Sequence, residues 1–250
     1  MPSFSTDDGD FTYFDEGDGR PIVLVHGFAS SARVNWLDTG WIDWLVGAGY
    51  RTIALDNRGH GNSVKLHDPA DYRLEKMAGD VLALIDHLGF ERVRAIGYSM
   101  GARILIDFAA RHSNRLEKLV LGGIGGAMAK AGLDREHIAT ALLAPSVEDV
   151  DDPVGRSYRQ FADQTRSDRL ALAACIRGYG RPVDPAEIAR IAVPTLIAVG
   201  TKDAVAGSAA ELAAMIRGAE VLDIPNRDHM RATGDRVFKE GATAFLARQE

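Results

Sequence analysis

The sequence predicts an α/β fold in which a mostly parallel β-sheet is covered by helices on both faces. Short apolar runs alternate along the chain with longer segments whose apolar residues recur at helical spacing. Runs that are apolar at every position indicate strands buried on both faces, as in a parallel sheet. The 250 residues, 46% of them hydrophobic, are enough for one large core. We therefore expect a single domain over residues 1–250.

Strands and helices alternate regularly in the first half of the chain. Ile22–Val25 and Arg51–Leu55 are β-branched apolar runs that predict buried strands, and Phe11–Glu16 predicts an earlier one. Leu74–Leu88 predicts the clearest helix, because its apolar residues form one stripe and Gly89 follows its end. The other predicted elements here are a helix over Trp41–Ala48, a strand from Val93, a helix that carries Ile104 and Phe108, and a strand over Leu116–Leu121.

The alternation stops between residues 127 and 191, where no buried strand run appears. Helical patterns over His137–Leu143, Arg156–Thr165 and Arg169–Arg177 are separated there by prolines and glycines. Because this stretch is too long for a plain connection, we predict a small helical insertion over residues 127–191 within the domain. The alternation then resumes with strands over Pro194–Gly200 and Glu220–Ile224 and helices over Ser208–Ile216 and Arg236–Ala247.

Composition argues against several classes of partner. The formal net charge of −6 is unfavourable for a nucleic-acid-binding protein. No apolar run approaches the length of a membrane span, and Met1–Asp10 lacks the basic and apolar segments of a signal peptide. We expect a soluble cytoplasmic protein that acts on a small molecule, with its oligomeric state left open.

Nothing in the sequence indicates a bound cofactor or metal. Gly122–Gly126 has neither the spacing nor the lysine of a nucleotide phosphate loop, and no cluster of His, Cys, Asp and Glu has metal-ligand spacing. Cys175 is the single cysteine, so no internal disulfide can form, and its apolar neighbours predict a core residue of a helix. We therefore expect no cofactor and no metal.

The stretch around Ser99 carries the strongest functional signal. Gly97-Tyr98-Ser99-Met100-Gly101 stands between a predicted buried strand and a predicted helix. In this context G-x-S-x-G predicts a nucleophile elbow, a sharp turn that presents the serine hydroxyl at a helix N-terminus. The two glycines would leave room for a close approach of strand and helix. The alternative is a serine that only caps the helix.

Other polar residues also follow predicted strands. Asp203 comes after the strand at Leu196, His229 after the strand at Val221, and His26-Gly27-Phe28 after the strand at Ile22. Ligands of such a sheet bind outside the carboxyl ends of its strands, so these loops should converge near Ser99. A serine becomes an effective nucleophile when a histidine accepts its proton and a carboxylate orients that histidine.

The order Ser99, Asp203, His229 is that of the α/β-hydrolase fold, and the sequence resembles that superfamily from about Asp10 to Leu246, apart from the insertion. The motifs that carry the resemblance are His26-Gly27-Phe28, Asp56-Asn57-Arg58-Gly59-His60-Gly61-Asn62-Ser63, Gly97-Tyr98-Ser99-Met100-Gly101, Gly200-Thr201-Lys202-Asp203 and Asp228-His229.

The resemblance implies a role for each matched position. Ser99 would be the nucleophile, His229 the general base and Asp203 the acid that orients it. The backbone N–H groups of Phe28 and Met100 would form the oxyanion hole. The insertion over residues 127–191 would be a helical cap above the site.

Alternatives to these roles remain open at the level of sequence. Asp203 and His229 could each be ordinary loop residues, and Asp228 is a rival acid, although its adjacency to His229 directs its side chain away from the imidazole. His26 is better placed to support its loop by hydrogen bonds than to act in catalysis. Arg58 and His60 match a structural turn of the family.

The predicted activity is hydrolysis of a carboxylic ester with a small or medium acyl group, through an acyl-enzyme on Ser99. The same three residues also serve C–C bond hydrolases, lactonases and perhydrolases. A serine at position 99 argues against the epoxide-hydrolase and dehalogenase branches, which the resemblance associates with aspartate. Two classes without catalysis remain: a small-molecule receptor and an interaction module with a vestigial site.

Overall fold

The computed structural model describes residues 1–129, 135–180 and 182–249, and its centre is an eight-stranded sheet. The strand order across the sheet is β1-β2-β4-β3-β5-β6-β7-β8. The strands are β1 (Ser3–Thr6), β2 (Gly9–Glu16), β3 (Arg20–Val25), β4 (Tyr50–Leu55), β5 (Val93–Tyr98), β6 (Leu116–Gly122), β7 (Thr195–Gly200) and β8 (Glu220–Ile224).

The sheet is parallel from β4 to β8, whereas β1 and β2 pair antiparallel at one edge. The predicted mostly parallel α/β sheet is confirmed. Its parallel strands are connected by helices, as the parallel arrangement requires. The α-helices of the described residues are α1 (Trp41–Gly47), α2 (Leu74–His87), α3 (Met100–His112), α4 (Glu136–Leu143), α5 (Pro153–Gln164), α6 (Arg169–Gly178), α7 (Pro185–Ile188), α8 (Ala209–Ala213), α9 (His229–Ala232) and α10 (Arg236–Ala247).

The two faces of the sheet bury two separate apolar clusters. Successive side chains of a strand point to opposite faces, so Val23 and Val25 join the cluster that α2 and α3 cover. Ile22 and Leu24 join the other cluster, with residues of α1 and α10. This two-sided burial explains why the central strands are apolar at consecutive positions.

The helices α4 to α7 lie between β6 and β7, where the alternation was predicted to stop. The start of α5 illustrates why these helices form: the Asp152 carboxylate accepts a hydrogen bond from the Gly155 N–H, and Pro153 occupies the first helical position. The Asp168 carboxylate caps α6 through the Ala171 N–H in the same way. Residues 130–134 and 181 of the predicted insertion lie outside the described residues.

Several elements differ from the sequence prediction, and two of the differences have clear physical reasons. The edge strand β1 was not predicted, because Phe4 is its only buried side chain and the strand has no apolar pattern. The helix predicted over Ser208–Ile216 is shorter, because Met215 and Ile216 bond to carbonyls three residues back and continue it as tight turns. Across the residues that the structure describes, none of the helices has the length and apolarity needed to cross a membrane.

Candidate active site

The register of the sheet brings the ends of four strands to one edge. Val25 of β3 lies opposite Gly97 of β5, and Gly200 of β7 lies opposite Ile224 of β8. The segments that follow these strands carry the residues singled out from the sequence. The convergence follows from the parallel arrangement, in which all carboxyl ends face the same way.

Ser99 occupies a strained turn between β5 and α3. Its φ of 53° and ψ of −110° place a non-glycine residue in the left-handed half of the backbone map, at a cost of roughly 1–3 kcal/mol. The conformation is fixed by its N–H, which donates to the Gly122 carbonyl at 2.8 Å, and by its carbonyl, which accepts from the Arg103 N–H at 3.1 Å.

The glycines on either side of Ser99 are required by close packing. A Cβ built on Gly97 would lie 2.6 Å from the carbonyl oxygen of Gly101, and one built on Gly101 would lie 2.0 Å from that of Val25. Both contacts are with backbone, which cannot move aside cheaply. The approach of α3 to the sheet that presents Ser99 therefore depends on the absence of both side chains.

The structure brings Ser99, His229 and Asp203 together in one hydrogen-bonded chain. His229 Nδ1 lies 2.8 Å from Asp203 Oδ2, and His229 Nε2 lies 3.0 Å from Ser99 Oγ. Because a carboxylate only accepts, Nδ1 carries the ring proton and Nε2 is left to accept from the serine hydroxyl. This is the geometry that proton transfer from the serine requires.

The Asp203 side chain is buried and well supplied with donors. Burial opposes its ionisation, but the hydrogen bond and charge of His229 and the N–H groups of Val205 and Ala206 outweigh burial. Both amides donate to Oδ1 at 2.9 Å. The pKa of Asp203 is consequently held below its ordinary value, so the carboxylate is charged at neutral pH and can stabilise an imidazolium.

The loops that carry Asp203 and His229 are bonded to each other. The Thr201 N–H donates to the Ile224 carbonyl and the Lys202 N–H to the Arg227 carbonyl, each at 3.0 Å. A Cβ on Gly200 would lie 2.2 Å from the Arg227 carbonyl oxygen, so glycine permits this approach. These contacts bring Asp203 and His229 within hydrogen-bond distance of each other although they are separated in sequence.

Asp228, the rival acid, has a different task. Its carboxylate accepts a hydrogen bond from the Arg231 N–H at 2.8 Å and caps the short helix α9.

The Tyr98 hydroxyl donates a hydrogen bond to the backbone carbonyl of His229, which connects β5 to the residue that bears the imidazole. Burial raises the pKa of Tyr98, so its hydroxyl stays protonated and remains a donor.

The loop after β3 leaves one amide available near Ser99. The Gly27 N–H donates to Asn35 Oδ1 at 3.1 Å, and the Ala29 N–H donates to His60 Nε2 at 3.1 Å. Within the described ranges, the Phe28 N–H between them has no protein acceptor. A Cβ on Gly27 would lie 3.5 Å from Ser99 Cβ, so this loop runs directly beside the serine.

Met100 opens α3, and the first amides of a helix have no acceptor within it. Its N–H stands immediately after Ser99 at the positive end of the helix dipole. Phe28 and Met100 are the two predicted oxyanion residues: Met100 follows Ser99 directly, and Phe28 follows Gly27, which runs beside Ser99.

His26 and His60 are buried parts of the scaffold. His26 Nε2 accepts from the Asn57 N–H at 3.0 Å, so its Nδ1 donates to the Gly27 carbonyl at 2.8 Å. His60 accepts from Ala29 and donates to the Arg58 carbonyl in the same manner. Burial lowers the pKa of both rings, that of His60 to about 3, so both are neutral. The structure supports the interpretation of His26 as a loop support.

Aromatic side chains from the segment between β6 and β7 cover the loop of Phe28. The ring centroid of Phe28 lies 5.6 Å from that of Tyr158 and 5.9 Å from that of Tyr179.

Cys175 is buried in α6 with its Sγ 3.7 Å from Met100 Sδ. Burial raises the pKa of the Cys175 thiol, which fits a core residue rather than a nucleophile.

A concavity of about 270 Å³ opens to solvent beside His229. The other residues that line it are Lys202, Ala204, Val205, Asp228, Met230 and Arg231. The His229 side chain is 13% exposed, so solvent reaches the imidazole. Among the described residues no group of three or more His, Cys, Asp or Glu side chains is arranged to hold a metal ion.

Asn35 is a site residue that sequence reasoning missed. It lies in a single helical turn, Arg33–Leu37, that no apolar pattern announces, and it is buried against the Gly27 amide. The role of Tyr98 was not predicted either: its hydroxyl donates to the backbone carbonyl of His229. The Asn35 contact lies within one irregular loop, and the Tyr98 contact joins residues 131 positions apart, so neither a motif nor a periodicity indicates them.

Comparison with known proteins identifies a family and several relatives. The family model described as "alpha/beta hydrolase fold" matches residues 20–175. The AB hydrolase superfamily protein YisY of Bacillus subtilis is 30% identical over 240 residues, which cover 86% of this chain and 87% of that protein. The crystal structure of a hydrolase from Pseudomonas aeruginosa PA01 superimposes with a TM-score of 0.83 at 25% identity, covering 99% of this chain and 98% of that one.

Another match is partial. Epoxide hydrolase B of Mycobacterium tuberculosis is 35% identical over 108 residues, which cover 41% of this chain. The matched region is only 28% of the length of that relative. Similarity to it therefore bears on part of the chain.

Proposed function

The chain belongs to the α/β-hydrolase fold family, and we propose that it is a serine hydrolase that cleaves a carboxylic ester of a small or medium acyl group. The observation that carries this proposal is the hydrogen-bonded chain from Ser99 Oγ through His229 to Asp203, with distances of 3.0 and 2.8 Å. The serine becomes nucleophilic because the imidazole is positioned to take its proton.

In the proposed first half-reaction, Ser99 Oγ attacks the ester carbonyl carbon while its proton moves to His229 Nε2. Asp203 stabilises the imidazolium, because its carboxylate is ionised at neutral pH. The carbonyl oxygen becomes an oxyanion that accepts hydrogen bonds from the N–H groups of Phe28 and Met100. The tetrahedral intermediate then collapses, the C–O bond to the alcohol breaks, and His229 returns the proton to the leaving alkoxide.

The second half-reaction repeats the same steps with water. His229 removes a proton from water, the hydroxide attacks the acyl-enzyme carbonyl, and the same two amides hold the second oxyanion. Collapse breaks the bond to Ser99 Oγ, which recovers its proton from His229, and the acid is released. Solvent access beside His229 is consistent with a water entering from that side.

We propose in addition that the segment over residues 127–191 acts as a helical cap. Its described parts contribute Tyr158 and Tyr179, whose rings face Phe28, and Cys175, which contacts Met100. A cap that touches both oxyanion residues would exclude bulk water from the reacting carbonyl and limit the size of the acyl group.

An epoxide-hydrolase activity is not proposed, although one relative bears that name. Position 99 carries serine here, whereas the resemblance associates that branch with aspartate. C–C bond hydrolysis, lactone hydrolysis and perhydrolysis use the same three residues and remain alternative reactions. A receptor that retains a ligand without turnover remains the alternative outside catalysis.

The test is a panel of aryl esters, lactones and ring-cleavage diketones, assayed with wild type and Ser99→Ala. We expect the aryl esters to be hydrolysed fastest and Ser99→Ala to lose at least about 10³-fold in kcat. Ester hydrolysis that survives the Ser99→Ala substitution would refute the proposal. Tight retention of a ligand by wild type with no turnover of any panel member would favour the receptor.

A further inference from the structure

Tyr98 contacts the segments that carry both the proposed nucleophile and the proposed base. It is the last residue of β5, precedes Ser99 directly and is only 3% exposed. Its hydroxyl donates a hydrogen bond to the backbone carbonyl of His229, and its ring centroid lies 5.5 Å from that of the imidazole. One buried side chain therefore bridges the elements that present Ser99 and His229.

The short helix α9, which begins at His229, depends on outside contacts for its position. Its four residues are too few to be stable alone, because nucleating a helix costs more free energy than so few internal hydrogen bonds return. Met230 and Arg231 of this helix are exposed, so one side of α9 faces solvent. The orientation of α9 is therefore set by contacts on its inner side.

Two side-chain hydrogen bonds reach α9 from the interior of the domain. The Trp41 Nε1–H donates to the carbonyl of Thr233, the residue that ends the helix, at 2.7 Å. The Tyr98 hydroxyl donates to the His229 carbonyl at the other end. A carbonyl oxygen only accepts, so tyrosine is the donor in this second bond. Of the two bonds, that of Tyr98 acts on the residue that carries the imidazole.

The Tyr98 ring is itself held in a fixed position. A Cβ built on Gly123 would lie 2.7 Å from Tyr98 Cζ, and one built on Gly122 would lie 2.8 Å from Tyr98 Cδ2. Gly123 has a φ of 60°, so its backbone conformation and this close approach both favour glycine. The ring centroid of Phe238 lies 6.3 Å from that of Tyr98 and 4.9 Å from that of Trp41. The two donors to α9 thus belong to one aromatic cluster.

We propose that Tyr98 is a positioning residue that sets the distance between Ser99 Oγ and His229 Nε2. It adjoins Ser99 along the chain and bonds the His229 backbone, so it fixes the base relative to the nucleophile. The 3.0 Å between Oγ and Nε2 suits proton transfer, and a displacement of about 1 Å can cost about 100-fold in rate. This inference rests on the proposed hydrolase function and adds a residue on which its rate depends.

The test removes the hydroxyl and keeps the ring. Tyr98→Phe deletes one oxygen atom, so the packing against Phe238 remains while the bond to the His229 carbonyl is lost. Tyr72→Phe is the matched control, because Tyr72 is also buried and its hydroxyl donates to the Leu66 carbonyl at 2.6 Å. Both variants lose a hydrogen bond from a buried tyrosine to a backbone carbonyl, but Tyr72 bonds a loop that carries no residue of the triad.

The readout is the time course of labelling by a fluorophosphonate probe, followed by intact mass. In this reaction Ser99 Oγ bonds to phosphorus, fluoride leaves and His229 takes the serine proton, so the rate constant depends on where the base lies. The final labelled fraction instead counts the molecules that have an assembled site. We expect Tyr98→Phe to reach the final fraction of wild type with a rate constant lower by about tenfold or more. Tyr72→Phe should stay within about twofold of wild type.

Two further measurements separate positioning from a general loss of structure. With 4-nitrophenyl acetate, Tyr98→Phe should lower kcat by a similar factor and leave KM within about twofold. Tyr98→4-aminophenylalanine places an N–H donor where the hydroxyl was, and it should recover most of the labelling rate. Tyr98→4-fluorophenylalanine fills the same space without a donor, and it should label as slowly as Tyr98→Phe.

The outcomes separate the inference from the function on which it rests. Labelling of wild type at Ser99 with an unchanged rate constant in Tyr98→Phe would overturn the positioning role and leave the hydrolase intact. Equal slowing in Tyr72→Phe would also overturn that role. If Tyr98→Phe does not fold, the 4-amino and 4-fluoro variants decide, and equal rate constants for these two would overturn the inference. A folded wild type that is not labelled would overturn both proposals.

Discussion

At the scale of the residue, the site depends on which hydrogen bonds each side chain can make. His229 has Asp203 on Nδ1 and Ser99 on Nε2, so both ring nitrogens have a defined partner. Asp203 accepts from two further amides, which fix its orientation independently of the histidine. Asp228, which neighbours His229 in sequence, caps α9 instead.

This division of labour between the two aspartates predicts different effects of the same substitution. Asp203→Asn should lower kcat for ester hydrolysis by about 10⁴-fold, because an amide in place of the carboxylate no longer fixes the tautomer or stabilises the imidazolium. Asp228→Asn removes the same charge next to the same histidine and should change kcat by less than about threefold. Steady-state kinetics of the two variants tests the assignment, and equal losses would contradict it.

The convergence of the site residues was predictable to the extent that a motif or a strand end marks them. Ser99, Asp203 and His229 follow strands and stand in a recognisable order, so sequence alone indicated them. Asn35 contributes by accepting a hydrogen bond from the Gly27 N–H, which depends on how the loop after β3 folds against the turn Arg33–Leu37. No local pattern encodes such a contact.

At the scale of the element, the contact between β5 and α3 determines the position of Ser99. The backbone of Gly101 packs against β3, and that of Gly97 packs against the first turn of α3. The helix therefore approaches the sheet closely enough to fix Ser99 in its strained turn. The cost of the strain is offset by the packing of an α3 whose first ten residues are all buried.

Two glycine-to-alanine substitutions on neighbouring helices should have opposite effects. Gly101→Ala should lower the free energy of unfolding by about 3 kcal/mol or more, because the added Cβ meets the Val25 carbonyl oxygen at 2.0 Å. Gly79→Ala on α2 meets nothing within 4 Å and should raise it by roughly 0.5–1 kcal/mol. Urea denaturation measures both, and a Gly101→Ala variant as stable as wild type would contradict the packing argument.

Elements with strong periodicity were predicted well, and elements without it were not. The strand Glu220–Ile224 and the helix Arg236–Ala247 have the predicted bounds. The edge strand Ser3–Thr6 and the short turn Arg33–Leu37 have no apolar pattern of their own. Each is stabilised by its neighbours, through pairing with β2 or through contacts with the loop after β3.

At the scale of the whole molecule, a parallel sheet covered on both faces brings distant residues to one edge. This architecture follows from apolar runs and helical stripes, so the fold class was predictable. The arrangement also buries two neutral histidines, His26 and His60, beneath the loop that carries Phe28. Their burial links the stability of the domain to pH.

The free energy of unfolding should fall as the pH drops below 6.5. The pKa of His60 is about 3 in the folded protein against an ordinary 6.5, because burial disfavours the charged ring. The unfolded chain therefore binds a proton that the folded protein does not, and the stability contributed by the neutral ring is lost progressively between those values. His26 acts in the same direction.

The contribution of His60 can be isolated by comparison with His60→Gln, which cannot titrate. Urea denaturation at pH 7 and pH 5 should show a decrease in wild type that exceeds the decrease in the variant by about 2 kcal/mol. The comparison uses the difference between two pH values, so any constant loss of stability in the variant cancels. Equal decreases in both proteins would show that His60 is not buried as a neutral ring.

The central claim is that Ser99 is a nucleophile activated by His229 and faced by an oxyanion site. Its most direct test is the intact mass of the protein after treatment with a fluorophosphonate probe, measured for wild type and Ser99→Ala. We predict one adduct on wild type and none on the variant, because attack on phosphorus requires the activated hydroxyl and the two amides. A folded wild type that forms no adduct, or a Ser99→Ala variant that still forms one, would contradict the claim.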